Sequence, residues 1–177
     1  MNRRSILQFG TAMGAASFTA IPVSATAAAS QPLADSRFDH MSLNVRDFDA
    51  MMAWYQRALG FTVAVAWRVD ALNGKRLAYL DLGTTRLELV EADSDGIGLP
   101  EAADFLDHFA RTGYGHLCFA VADVDQVMDD LATAGVPTFV RPETYDLDGT
   151  PYRRRVGFMK DPEGNVLEFG EPLIRVG

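Results

Sequence analysis

From Phe38 onward the chain alternates between two rhythms of apolar and polar positions, and the same succession of rhythms occurs twice. Met41 to Val45 and Leu117 to Val121 alternate with a period of two, which suits a strand with one covered face. Each run leads through an aspartate, Asp47 or Asp123, into a stretch with helical spacing. Phe48, Met51, Met52, Tyr55 and Leu59 fall on one face of the first helix. Val124, Val127, Met128 and Leu131 do so in the second. Gly60 and Gly135 stand where a left-handed C-terminal cap is wanted.

Three strand-like pieces follow each helix: Thr62 to Val69, Arg76 to Asp81 and Arg86 to Glu91, then Thr138 to Arg141, Arg153 to Met159 and Asn165 to Gly170. Turn residues separate them, at Asn73-Gly74, Leu82-Gly83, Asp148-Gly149 and Asp161-Pro162-Glu163-Gly164. The two halves align at an offset of 76, which sets His40 on His116, Val45 on Val121, Asp47 on Asp123 and Asp49 on Asp125. They also end alike, Leu87-Glu88-Leu89-Val90-Glu91 against Leu167-Glu168-Phe169-Gly170-Glu171. The expected class is α+β: two β-α-β-β-β modules, 37–91 and 114–172, pairing into a curved, barrel-like mixed sheet with helices outside. Between them, 92–113 reads as a linker with a short helix over Glu101 to Arg111. Its apolar side carries Phe105, Leu106 and Phe109, and His108 is placed on the polar side.

Composition narrows the partners. Sixteen Lys and Arg stand against 24 Asp and Glu, a net charge of −8, so the positive field that nucleic-acid binding requires is missing. A single cysteine, Cys118, cannot make an intrachain disulfide or a thiolate metal cluster. Residues 1–30 differ from the rest. Arg3 and Arg4 are followed by an uncharged stretch rich in Gly, Ala, Ser and Thr, and then by Ala25-Thr26-Ala27. This pattern resembles a twin-arginine export signal and implies a periplasmic protein with no stable membrane span after processing.

The repeat singles out four polar residues: a histidine at the first strand of each half, His40 and His116, and a glutamate on the last, Glu88 and Glu168. Each glutamate lies between two apolar neighbours, so it points away from the face those neighbours cover. Taken singly, such residues are ordinarily solvated or hydrogen-bonded polar groups. Their recurrence at equivalent places points to a shared task. Two imidazoles and two carboxylates suit a divalent ion such as Ni, Zn, Co, Fe or Mn, and leave room for a substrate with vicinal oxygens. The run Arg153-Arg154-Arg155, with Arg86 and Lys160, supplies candidates for holding an anionic group, although basic runs at turns are more often solvated.

The motifs D-H-x-x-L-x-V-x-D at residue 39, G-H-x-x-F-x-V-x-D at residue 115 and D-P-E-G-N-x-L-E-F at residue 161 resemble the vicinal oxygen chelate superfamily over residues 37–172. Within it, the quartet is most like that of glyoxalase I. The resemblance implies metal ligands at His40, Glu88, His116 and Glu168. It also implies proton transfer beside a carbonyl, with Glu168 as base and Glu88 its partner, on an α-hydroxycarbonyl or hemithioacetal. Two alternatives come with it: an Fe(II) extradiol-type dioxygenase, which does not need Glu88, and a non-catalytic small-molecule binder of the bleomycin-resistance kind. Modules of this family pair within one chain or between two, and exposed sheet edges favour a homodimer.

Overall fold

The computed structural model describes residues 36–93, 95–96, 98 and 100–176. The export segment expected over residues 1–30 lies outside them. The chain divides into two units, Met1–Arg37 and Phe38–Gly177, and every element below belongs to the second.

In the first module, β1 (Met41–Val45) leads into α1 (Phe48–Leu59) and then β2 (Thr62–Val69), β3 (Lys75–Leu82) and β4 (Thr85–Glu91). The helix starts where expected because the Asp47 side chain accepts from the amide of Ala50, satisfying one of the unpaired first-turn donors. It stops at Gly60, whose φ of 77° returns its amide to the carbonyls of Tyr55 and Gln56. The sheet order is β1-β4-β3-β2, with β1 parallel to β4 and the other pairs antiparallel. Leu80, Leu87 and Leu89 face α1 and are fully buried with Val45, Met51 and Tyr55. Burial of each large aliphatic side chain there is worth about 1.5–3 kcal/mol.

The second module repeats this plan with β5 (Leu117–Ala120), α3 (Val124–Thr133), β6 (Thr138–Asp146), β7 (Tyr152–Lys160) and β8 (Val166–Gly170), in the order β5-β8-β7-β6. A two-residue β9 (Ile174–Arg175) pairs with β7. Strand β6 runs five residues beyond its expected end at Arg141 and passes through Pro142. It tolerates the proline because it is an edge strand, paired with β7 alone, with register shifts between Thr138 and Glu143. The molecule therefore holds two curved mixed sheets, not one closed barrel. Among the described residues no helix is long and apolar enough to cross a membrane.

The two modules share a core. Trp54, Leu59, Leu117 and Phe119 pack against the buried clusters of both, and Phe61 meets Phe119 edge to face. The Asp161-Pro162-Glu163-Gly164-Asn165 turn locks this arrangement. Asp161 is buried and accepts from the amides of Glu163 and Asn165, from Asn165 Nδ2, and from the Tyr55 hydroxyl of the first module at 3.0 Å. Glu163 reaches back to accept from the amides of Arg46 and Asp47, so a carboxylate sits at the positive end of α1.

A second repeated device joins each helix to its sheet. Arg76 of β3 donates to Asp49 in the first turn of α1 and to Glu91 at the end of β4; Arg155 of β7 donates to Asp125 in the first turn of α3. Hydrogen bonds from Arg76 hold the Glu91 carboxyl at about 2, well below its usual 4.5.

Candidate functional site

Strand register sets the site. In the first module Ser42, Glu88, Tyr79 and Val65 are successive partners across β1, β4, β3 and β2, and in the second Cys118, Glu168, Phe158 and Val140 are. Both rows lie on the face opposite Leu87–Leu89 and Leu167–Phe169, which the helices cover. His40 and His116 lie one residue before β1 and β5 and two positions before Ser42 and Cys118, so they share those faces. Each sheet thus presents one imidazole beside one carboxylate. Glu88 and Glu168 keep only 15% and 11% of their side-chain exposure, so neither is an ordinary surface charge.

The two pairs differ in closeness and in company. His40 Nε2 stands 3.7 Å from Glu88 Oε2, while its Nδ1 is 2.7 Å from Asp39 Oδ2. His116 Nε2 stands 2.7 Å from Glu168 Oε2, and its Nδ1 is 3.1 Å from Nε2 of His108. His108 is therefore not a surface residue. It is buried at 8% exposure, because the short helix α2 (Phe105–Ala110) lies against the second module with Phe105 on Phe158 and leaves Leu106 in solvent. Burial holds the His108 imidazole below its ordinary pKa, and the neighbouring His116 adds to the effect.

Glu168 has further neighbours. The His116 contact, above all, keeps its carboxyl below the usual range. Arg154 Nη1 approaches its other oxygen at 3.4 Å, and the same guanidinium lies over the bare Cα of Gly170, where a Cβ would come within 2.5 Å of it. Burial, with Glu168 next in effect, pushes the Cys118 thiol up, which disfavours a thiolate here. Of the basic residues considered for an anion, Arg86 is paired to Asp81, Arg153 to Asp146, Arg155 to Asp125 and Lys160 to Glu101. Arg154 alone of the triple arginine run meets the site.

The four expected ligands do not meet within one chain. Among the described residues, the set of three or more His, Cys, Asp or Glu whose ligand atoms all lie within 4.8 Å is Asp123, Asp125 and Glu171. Those three are in structural use: Asp123 caps α3, Asp125 holds Arg155, and Glu171 accepts from the amide of Val124. A cleft of about 200 Å³ is lined by Ser42, Tyr55, His108 and His116, but by neither Glu88 nor Glu168, so it is not the place where the expected ligands converge. The donor chemistry of each face, one imidazole nitrogen and one carboxylate oxygen with no thiolate, fits half the shell of a divalent ion. A complete set requires both faces together.

The sequence places His108 on the surface and gives Asp39 no role, and it names Arg154 only within the basic run, as a candidate for an anion. For Asp39 a signal existed, since it adjoins His40. For His108 none did, because it lies in a linker, and nothing local separates Arg154 from its two neighbours as the one that meets Glu168.

The Glyoxalase/Bleomycin resistance protein/Dioxygenase superfamily matches residues 37–169 of this chain. A lactoylglutathione lyase of Pseudomonas putida is 28% identical over 167 residues, covering 83% of this chain and 91% of that protein. An ethylmalonyl-CoA/methylmalonyl-CoA epimerase of Cereibacter sphaeroides is 29% identical over 99 residues, covering 56% of this chain and 71% of that protein. Among solved structures, a glyoxalase family protein from Enterococcus faecalis superimposes with a TM-score of 0.60 at 24% identity, over 77% of this chain and 98% of that one, which shows the fold.

Proposed function

Since the chain belongs to the glyoxalase/bleomycin resistance protein/dioxygenase superfamily, we propose that it is a divalent-metal-dependent lyase or isomerase, moving a proton between neighbouring carbons of an α-hydroxycarbonyl or hemithioacetal. The observation that carries this reading is the pair of equivalent half-sites, His40 with Glu88 and His116 with Glu168, on matching faces of the two sheets. The names of its relatives agree with it: lactoylglutathione and methylmalonyl-CoA both have a carbon–hydrogen bond beside a thioester carbonyl.

His40, Glu88, His116 and Glu168 would hold the ion, which when bound polarises the substrate oxygens and makes the adjacent carbon-bound proton easier to remove. Glu168 takes that proton and returns it to the next carbon, with Glu88 facing it as its counterpart. Arg154 beside Glu168 favours the ionised carboxylate that a base requires.

Two copies of the chain complete the site in this reading, the first module of one meeting the second module of the other. Its support is the separation of the half-sites within one chain and the exposed apolar side chains nearby, Val65 on the first sheet and Phe109 and Tyr114 beside the second. The segment 1–30 directs the protein to the periplasm, where glutathione is scarce, so a thiol-free α-hydroxycarbonyl suits it as substrate.

The test is proton NMR in deuterated water with protein loaded with Ni or Zn. Exchange or isomerisation of a candidate α-hydroxyketone supports the reading. Retention of the carbon-bound proton across a panel of such compounds, with oxygen consumed by Fe(II)-loaded protein when catechols are added, would replace it with oxygen chemistry.

A further inference from the structure

The two ligand histidines are held on their Nδ1 side by chemically different partners, and the repeat shows how the difference arose. His40 has Asp39 at 2.7 Å. The offset of 76 places Gly115 where the second module would have the same aspartate. A Cβ built at Gly115 would lie 3.6 Å from Nε2 of His108, so the imidazole from α2 occupies the space into which an aspartate side chain would project. From there His108 Nε2 meets His116 Nδ1 at 3.1 Å.

Donor and acceptor rules then fix where the protons sit. A carboxylate only accepts, so Asp39 requires a proton on His40 Nδ1, and a neutral ring leaves His40 Nε2 bare. Consistent with this, Glu88 stands 3.7 Å from that nitrogen, beyond hydrogen-bond reach. In the second module Glu168 is 2.7 Å from His116 Nε2, which requires the proton on that nitrogen. In the neutral ring His116 Nδ1 is then an acceptor. A carboxylate facing it would repel, whereas an imidazole can donate.

We propose that His108 is the positioning residue of His116, standing in for the aspartate absent at position 115, and that the metal-free protein holds its two ligand histidines in opposite tautomers, His40 protonated on Nδ1 and His116 on Nε2. The first half-site is thereby preset to ligate, and the second is not. For His116 to ligate through Nε2, its Nε2 proton leaves to water, the Nε2 proton of His108 crosses to His116 Nδ1, and His108 gains a proton from water on its own Nδ1. Both rings stay neutral and the count of protons is unchanged. Helix α2 keeps the second ring in place for both roles, with His108 packed edge-on against Phe109 and Phe139. The ligating half of this inference rests on the metal reading above; the tautomer half does not.

Long-range nitrogen–proton correlation spectra of the uniformly labelled, metal-free full chain, at mildly alkaline pH where free imidazole is neutral, read the tautomers directly. The expected pattern is Nδ1–H for His40 and Nε2–H for His116. Adding Gly115→Asp to His108→Ala restores a carboxylate partner and should convert His116 to the His40 pattern; Gly115 is outside the left-handed region, so its backbone accepts the change. Titration calorimetry with Co(II) should show His108→Ala weakening binding about 10-fold or more, with most of the loss recovered in the double variant. His108→Gln, which keeps an amide donor at similar reach, should retain the Nε2–H tautomer of His116 and most of the Co(II) affinity even if the alanine variant does not fold; loss of that tautomer in the folded glutamine variant would overturn the proposal. Identical tautomers for His40 and His116 in the unaltered protein, or an unchanged His116 tautomer in the double variant, would overturn the proposal. A protein that binds no Co(II) at all refutes the metal reading, while the spectra still decide this one.

Discussion

The hydroxyl of Tyr55 in the first module donates to the buried carboxylate of Asp161 in the second, 3.0 Å away across 106 residues of sequence. Asp161 is the first residue of the D-P-E-G-N turn, so a stretch that reads from sequence only as a turn is also a clasp between modules. Burial and the facing carboxylate push the Tyr55 phenol up, which keeps it a donor over the whole working range of pH.

Removing that donor isolates its contribution. Tyr55→Phe keeps the ring and its contacts with Trp54 and Phe61, and is expected to cost about 2 kcal/mol, the scale for a buried hydrogen bond to a charged group. Urea unfolding should show a lower midpoint with an unchanged slope. An equal midpoint would mean that the other donors to Asp161 suffice.

The Arg76–Glu91 pair sets part of the acid response. The carboxyl's folded value, about 2, lies below its unfolded 4.5. Its stabilising contribution is therefore complete above about 4.5 and is lost as pH falls from there toward 2. Glu91→Gln should flatten the stability-versus-pH curve within that window and lower stability at neutral pH. A curve that keeps its original steepness there would assign the acid sensitivity to other groups.

Separated half-sites make a mixing experiment decisive. His40→Ala and His116→Ala should each be inactive alone. If two chains share each site, equal mixing after unfolding and refolding yields hybrids with one intact site, and activity returns to about a quarter of the unaltered level. If each site belongs to a single chain, mixing restores nothing.

The two glutamates are expected to separate base from ligand. Glu168→Gln should lower turnover by roughly 10²- to 10⁴-fold, the scale of a lost general base, while metal affinity falls much less. Glu88→Ala should also abolish most proton exchange. Oxygen consumption with catechols that survives Glu88→Ala, measured with the Fe(II) content matched, would favour the three-ligand oxygen chemistry instead.

The sequence by itself determined the modules and their local punctuation. Alternation in Met41 to Val45, the caps at Asp47 and Asp123 and the left-handed Gly60 depend on neighbours within a few residues, and all occur as read. It also marked the positions that recur, but recurrence could not say why they do. Asp49 with Asp125 and Glu91 with Glu171 repeat as strictly as His40 with His116, yet the aspartates and Glu91 hold arginines and Glu171 caps a helix amide. Strand pairing decided which were which, because side chains alternate between faces: Glu88 and Glu168 fall on the open face, three residues before Glu91 and Glu171 on the helix side. Tertiary structure alone brought His108 to His116, since the path of a linker follows from the packing of Phe105 on Phe158 and not from local spacing. It also decided that the quartet is divided in two, because the shared core of Trp54, Leu59, Leu117 and Phe119 fixes how the modules meet, and in that arrangement the expected ligands remain apart.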